Sequence, residues 1–329
     1  MIAFKYISVS SIEEVVAALA APDPPRILAG GTTLVDLMKL NVEQPSRVID
    51  ITRLSELAGF DTSGSQELVF GALTRMSDVA DDPVVRSQYP VLSESLWRAA
   101  SQQLRNMATL GGNLLQRTRC AYFRDLQYPC NKRDPGVGCS AIGGTNRGHA
   151  LLGASDTCIA VYPGDWGTAL VALDAVVDVQ SVRGRRTLKI SELHCEPGQT
   201  PHLETNLAAD ELILRIRVPT TALGKASTYL KVRDRESYAF AVTSAAVALE
   251  MDGNLVRAAR IAVGGVATRP WRAHAAEQSL VGKLFTAATA QKAGDIAFED
   301  ARTSDQNLFR VQLGANTVAE ALKIARERV

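Results

Sequence analysis

Four of the five cysteines fall in one stretch, Cys120, Cys130, Cys139 and Cys158, spaced C-x9-C-x8-C-x18-C. The stretch runs over residues 115–164 and shows no sustained helical or strand period. A segment of that length seldom persists in a compact domain unless something other than a hydrophobic core pins it. Thiolate ligation of an iron–sulfur cluster would pin it, because metal–sulfur bonds replace the missing apolar burial. Structural zinc favours paired C-x2-C knuckles, and none is present. Wide single spacings suit a cuboidal cluster whose corners are reached from separate loop segments. Arg117, Arg119, Arg124, Lys132 and Arg133 flank the first three cysteines, where positive charge is expected to favour thiolate and offset a cluster's negative charge. His149 is a candidate hydrogen-bond donor in the same loop. Cys195 reads as an ordinary free thiol, and His194, His202 and His274 as solvated or capping groups. The alternative for the four cysteines is a set of buried thiols without a metal.

A second kind of chemistry is written in glycine. In Leu28-Ala-Gly-Gly-Thr-Thr-Leu34 a strand ends, two glycines let the backbone approach a ligand, and a helix N-terminus follows. That order favours a phosphate or pyrophosphate. It is not the Gly-x-Gly-x-x-Gly fingerprint of a Rossmann fold. Arg105-Asn-Met-Ala-Thr-Leu-Gly-Gly-Asn113 repeats the theme after a helix, with Asn113 able to donate and accept at once. Two such loops could hold a dinucleotide's two phosphates from different sides. The alternatives are a Gly-Gly turn with a Thr N-cap at the first site and a helix C-cap at Gly111-Gly112.

The elements that must position these groups follow from pattern. Ser11-Ile-Glu-Glu opens a helix with a capping box, and Pro22, Pro24 and Pro25 stop it. Arg26–Ala29 and Val48–Ile51 read as strands and 34–40 as a helix, so the first fifty residues suggest a small parallel β-α-β-α-β unit. Beyond residue 58 the signals change to strands at 67–72, 176–182, 187–190 and 211–218, with an amphipathic helix from Leu92 to Met107. A hairpin follows, 245–250 and 256–263 about an Asp252-Gly253 turn. From Trp271 onward the chain reads as mostly helical, ending in a helix from Asn316 to Arg328. The expected units are 1–57, 58–221 and 222–329.

Composition narrows the class. The 329 residues are 46% hydrophobic and 22% charged with net charge +1, which lacks the basic excess of a nucleic-acid binder. Five cysteines without a signal peptide argue against a disulfide framework. No run of about 18 apolar residues predicts a membrane span. A soluble protein made in the cytoplasm is expected, free to travel with a signal-bearing partner.

These residues carry a family resemblance. Leu28–Leu34, Gln103-Leu-Arg-Asn-Met-Ala-Thr-Leu-Gly-Gly-Asn-Leu114 and Tyr162-Pro-Gly-Asp-Trp-Gly-Thr-Ala-Leu170 resemble the FAD-binding subunits of the molybdenum hydroxylases, the xanthine dehydrogenase family. Leu115–Phe123, Pro129–Arg133 and Gly138–Gly144 narrow the likeness to flavin subunits of bacterial periplasmic aldehyde oxidoreductases, in which an inserted loop binds a [4Fe–4S] cluster. Lys231–Ala241 and Val263–Arg272 extend it to the C-terminal part. The resemblance implies an α+β fold: a two-part FAD-binding domain, a small α/β unit plus an α+β unit, then a C-terminal antiparallel sheet with helices. It implies that Leu28, Ala29, Gly30, Gly31, Thr32, Thr33 and Leu34 wrap the FAD pyrophosphate, with Thr109, Gly112 and Asn113 opposite. Asp165 occupies a Pro-Ser-Asp position whose Ser is here Gly164; Leu212 and Ile213 would pack on the isoalloxazine, and Lys231 would lie near its polar edge. Cys120, Cys130, Cys139 and Cys158 would ligate [4Fe–4S].

By the same resemblance the chain needs no catalytic residues of its own. A large molybdenum-cofactor subunit would oxidise an aldehyde, and a small [2Fe–2S] subunit would pass electrons to FAD here and on to an external acceptor. The location implied is the periplasm, reached as part of a co-exported complex. Two other readings stand beside it: a flavin subunit of a hydroxybenzoyl-CoA reductase or carbon monoxide dehydrogenase, and a metal-stabilised binding protein without redox function.

Overall fold

Ser11 caps the first helix as expected, but the reciprocal half of the capping box falls one residue earlier, on Ser10. The Ser11 Oγ accepts from the Glu14 N–H at 3.2 Å, while the Glu14 carboxylate accepts from the Ser10 N–H at 2.9 Å. In the computed structural model, which describes residues 1–329, this helix spans Ile12–Leu19 and buries Ile12, Val15, Val16 and Leu19. Those side chains pack on a parallel sheet of β1 (Lys5–Ser8), β2 (Arg26–Leu28) and β3 (Arg47–Asp50), in the order β1-β3-β2. The parallel unit expected from the first fifty residues is therefore present. The helix Leu34–Lys39 follows the first Gly-Gly turn.

An antiparallel five-stranded sheet comes next: β4 (Phe60–Asp61), β5 (Glu67–Gly71), β6 (Val176–Ser181), β7 (Gly184–Lys189) and β8 (Leu212–Pro219), ordered β4-β5-β8-β6-β7. Strand β8 serves two cores. Leu212 and Leu214 join Val15 and Ile49 of the first unit, whereas Ile213 and Ile216 join the largest core with Phe70 and Trp166. The Phe70 and Trp166 rings meet edge to face at 5.9 Å, a geometry worth about 0.5–1.5 kcal/mol beyond area burial.

The third sheet contains β9 (Ser227–Val232), β10 (Thr243–Asp252), β11 (Leu255–Gly264) and β12 (Trp271–Arg272), ordered β12-β11-β10-β9 and antiparallel throughout. Along β10 the period-two alternation is explicit. Ala245, Val247 and Leu249 enter the C-terminal core, and Ala246 and Ala248 enter the central one. Burial on both faces accounts for the small side chains of this strand. The architecture is the α+β arrangement expected, and no helix is long and apolar enough to cross a membrane.

Two expected helices are revised. The helix predicted over Leu92–Met107 is two pieces, Pro90–Trp97 and Gln102–Arg105. Between them Ala100 takes φ 48°, and Ser101 starts a new turn by accepting from the Leu104 N–H. The final helix starts at Phe309 rather than Asn316 and runs to Arg326. Gly314 lies inside this helix, where a Cβ would stand 2.1 Å from the Phe298 ring, so close packing calls for glycine there.

Candidate functional site

The first Gly-Gly loop meets the second. A Cβ on Gly30 would lie 2.0 Å from the Met107 carbonyl oxygen, so the loops lie backbone against backbone. Gly31 has φ +72°, the left-handed region that glycine enters without cost. On the other side Thr109 caps the short helix Leu110–Leu114, its Oγ accepting from the Gly112 N–H. Gly111-Gly112 therefore open a helix, and the C-cap alternative does not hold.

A cleft runs past both loops. Its larger compartment, about 760 Å³, is lined by Thr32, Thr33, Gly112, Asn113 and Asp165, among others. Its smaller compartment, about 300 Å³, is lined by Ala29, Gly30, Gly31, Leu34, Thr109, Leu212 and Ile213. Thr32, Thr33 and Gly112 border both, which makes them the junction. Leu28 lines neither; its side chain packs 3.3 Å from where a Gly31 Cβ would stand. Asn113 turns its Nδ2 to the Met76 sulfur at 3.4 Å and leaves Oδ1 buried without a partner. A buried acceptor with no donor is costly.

The residues expected around one ring system are divided. Asp165 is buried at the larger compartment, accepting from the Tyr229 hydroxyl at 2.6 Å and from Lys231 Nζ at 2.9 Å. Lys231 also donates to the Arg98 carbonyl at 3.1 Å; its side chain, 1% exposed, lines neither compartment. Leu212 and Ile213 lie at the smaller end. The glycine at 164 has a steric cause: a Cβ there would stand 2.3 Å from the Tyr162 hydroxyl. That hydroxyl and His194 Nε2 both donate to the Leu114 carbonyl, at 3.2 and 2.8 Å, and so fasten the end of the Gly-Gly helix. His194 is thus a buried group rather than a solvated one, and burial pushes its pKa down to about 4.

Several lining residues were not among the expected FAD contacts. Asp36, Met76, Ala99, Ala100, Arg119, Tyr238 and Phe240 all border the larger compartment. Tyr238 has φ 54° and donates its N–H to the carbonyl of Ala100, itself at φ 48°. Each left-handed non-glycine residue costs on the order of 1 kcal/mol. The only sequence signal for Tyr238 and Phe240 is their place in Lys231–Ala241.

The cysteine stretch is built from turns. Cys130 and Cys139 face each other across an antiparallel bridge closed by Asn131 N–H to the Gly138 carbonyl at 2.7 Å. Asn131 Nδ2 reaches the Thr157 carbonyl at 3.1 Å, bringing Cys158 alongside. Cys120 Sγ lies 3.2 Å from His149 Nε2. The thiols sense one another: burial raises the Cys120 pKa and pushes Cys158 up to about 11, and Cys130 and Cys139 add to both shifts.

The flanking cations do not turn to the sulfurs as expected. Arg124 and Arg119 bind Asp36, Arg117 bridges Glu43 and Glu204, Lys132 binds Glu204, and Arg133 donates to the Tyr122, Phe123, Asp125 and Tyr128 carbonyls. Carboxylates brought from elsewhere in the fold outcompete the neutral thiols. Lys132 lowers the pKa of Cys158, and also that of Cys195 outside the stretch. The second half of the stretch also has its own core, with Leu151 and Leu152 buried against the C-terminal sheet. Buried Arg310 ties it there through the Arg147, His149, Val242 and Gly265 carbonyls.

Residues 2–221 match the family described as FAD binding domain in molybdopterin dehydrogenase, and residues 228–325 match the CO dehydrogenase flavoprotein C-terminal domain. The chain belongs to the FAD-binding subunits of the molybdenum hydroxylase family. It is an oxidoreductase subunit. It is 44% identical over 329 residues to the aldehyde oxidoreductase FAD-binding subunit PaoB of Escherichia coli K12, covering 99% of each chain. Carbon monoxide dehydrogenase from Hydrogenophaga pseudoflava superposes with a TM-score of 0.77 at 28% identity, over 99% of this chain and 98% of that one. Quinoline 2-oxidoreductase from Pseudomonas putida 86 gives a TM-score of 0.75 at 27% identity, with the same coverage. The cleft of this flavoprotein subunit suits FAD by its own chemistry. Glycine backbone is exposed at the junction where a diphosphate would lie, a compartment opens on either side, and Asn113 offers an unused acceptor.

Proposed function

We propose that this chain is the FAD- and [4Fe–4S]-carrying electron-transfer subunit of a molybdenum-dependent aldehyde oxidoreductase. Electrons would arrive from the [2Fe–2S] clusters of a small partner subunit, after a large molybdenum subunit has oxidised the aldehyde, and leave to an external acceptor. The observation that carries the reading is the placement of the cysteine stretch beside the cleft: Cys130 and Cys139 pair across a bridge, and Cys120 borders a cavity that shares Arg119, Pro163 and Phe240 with the larger compartment. The 44% identity to the aldehyde oxidoreductase subunit, against 29% to the carbon monoxide dehydrogenase medium chain of Hydrogenophaga pseudoflava, favours an aldehyde as substrate.

No three His, Cys, Asp or Glu side chains converge on a point that could hold a single metal ion. Bound FAD would supply two-electron storage and onward transfer. The chain's own contribution is positional. Gly30, Gly31, Thr32, Thr33, Thr109 and Gly112 would hold the diphosphate, with Ala29, Leu34, Leu212 and Ile213 beside the adenosine end. Asn113 and Asp165 would face the ring system, with Lys231 pairing to Asp165 from behind. The division into units 1–57, 58–221 and 222–329 belongs to this proposal, as does a periplasmic location reached in a folded complex with a signal-bearing partner.

Metal and flavin analysis tests the assignment. The purified chain should contain one FAD and about four irons. Cys130→Ser should lose the irons and make residues 121–148 protease-sensitive, while Cys195→Ser, whose thiol donates to Asn206, should change neither. Equal iron loss in both variants, or none in the first, would reject the ligand set.

A further inference from the structure

The thiol-bearing stretch also reaches into the flavin cleft. Arg119 precedes Cys120, yet its side chain borders the larger compartment together with Asp36, Arg124 and Phe240. It borders a second cavity of about 200 Å³ as well, where Cys120, Arg147 and His149 lie and no carboxylate is present. Asp36 is the only acid that Arg119 contacts, and it is shared unequally. Arg124 takes both carboxylate oxygens, at 2.7 and 3.0 Å, while Arg119 reaches one at 3.3 Å. One carboxylate against two guanidiniums leaves one positive charge. The remaining acids of the compartment do not cancel it: Asp165 is paired with Lys231, and Asp234 is exposed to solvent, as is its neighbour Arg235. The Arg119 guanidinium stands 5.1 Å over the Phe240 ring, and its Nε–H is buried with no acceptor. A guanidinium cannot shed its charge, so the fold holds a cation at the lining of the cleft, with one donor unpartnered.

We propose that Arg119 is a positioning residue for the flavin's charge: it supplies an uncompensated positive charge that stabilises the reduced ring. The inference rests on the FAD reading above. A flavin that takes up two electrons and one proton gains one negative charge, so a nearby cation binds the reduced form more tightly than the oxidised one. The inserted loop thereby tunes the redox centre of the neighbouring cleft through Arg119, in addition to whatever its thiols bind.

The test is the flavin midpoint potential of the purified, FAD-loaded complex, read by spectroscopic titration with a chemical reductant. Arg119→Gln should retain its FAD and lose about tenfold in preference for reduced flavin, a fall of about 30 mV for a two-electron couple. Asp36→Asn should move the potential the opposite way, because the shared counter-charge is gone. Arg119→Lys should restore most of the Gln deficit. Opposed signs from two touching residues are not the mark of a merely structural role. An unchanged potential in Arg119→Gln, shifts of the same sign in Arg119→Gln and Asp36→Asn, or loss of FAD from Arg119→Gln would overturn the proposal. Wild-type protein without flavin would instead sink the FAD reading itself.

Discussion

Replacing Gly30 by alanine should weaken FAD binding far more than the same change at Gly31, although the two are adjacent. At Gly30 the new Cβ would stand 2.0 Å from the Met107 carbonyl oxygen, 2.8 Å from its carbon and 3.0 Å from the Ala108 Cα. All three obstacles are backbone, so the two glycine loops must part by about 1 Å or more, an overpacking cost of about 3 kcal/mol. If the ligand needs the loops closed, that cost appears as about a 100-fold rise in Kd. At Gly31 the obstacles are the tips of Leu28 and Val35, each at 3.3 Å, and the main penalty is the left-handed φ of +72°. That penalty is about 1–2 kcal/mol for alanine and leaves the loops together, so FAD affinity should fall by no more than about tenfold. Fluorescence titration of the apoprotein with FAD gives both Kd values, and thermal unfolding should place Gly30→Ala below Gly31→Ala. Wild-type affinity in Gly30→Ala, or a greater loss in Gly31→Ala, would refute the idea that close approach of the loops shapes the site.

Lys231→Met should destabilise the chain by about 3–5 kcal/mol, because Asp165 is left buried without its cation. The double variant with Asp165→Asn should recover much of that loss in denaturant titrations; a double as unstable as the single would contradict the pairing. His194 gives a pH signature. Its folded pKa near 4 lies below the ordinary value of 6.5, so the unfolded chain binds the extra proton first on acidification. Its contribution is complete above about pH 6.5, declines as pH falls and levels off below about 4, for a total of up to about 3 kcal/mol. His194→Gln, which keeps a donor for Leu114, should flatten this part of the profile, and identical slopes in both proteins would count against it.

Local chemistry was legible in the sequence because it is short-ranged. The Ser11 cap, the parallel strands of the first fifty residues, the Asp252-Gly253 hairpin and the two glycine loops each depend on residues a few positions apart, and all are present. The cysteine spacing likewise singled out the thiols that come to sense one another. What the sequence could not disclose is which distant group each of these would meet. The helix over Leu92–Met107 satisfies its own periodicity, yet it breaks at Ala100, whose carbonyl accepts from Tyr238 on the third sheet's approach. The cations around the cysteines looked destined for sulfur, but the fold delivers Asp36, Glu43 and Glu204 to them, and a carboxylate is a far better partner than a neutral thiol. Leu212 and Ile213, neighbours in sequence, enter different cores because strand side chains alternate, and only the packing of β8 between two units fixes what lies on each face. Periodicity reports which residues seek burial; charge pairing, close backbone approach and the shape of the cleft are properties of surfaces that exist only once the chain has folded.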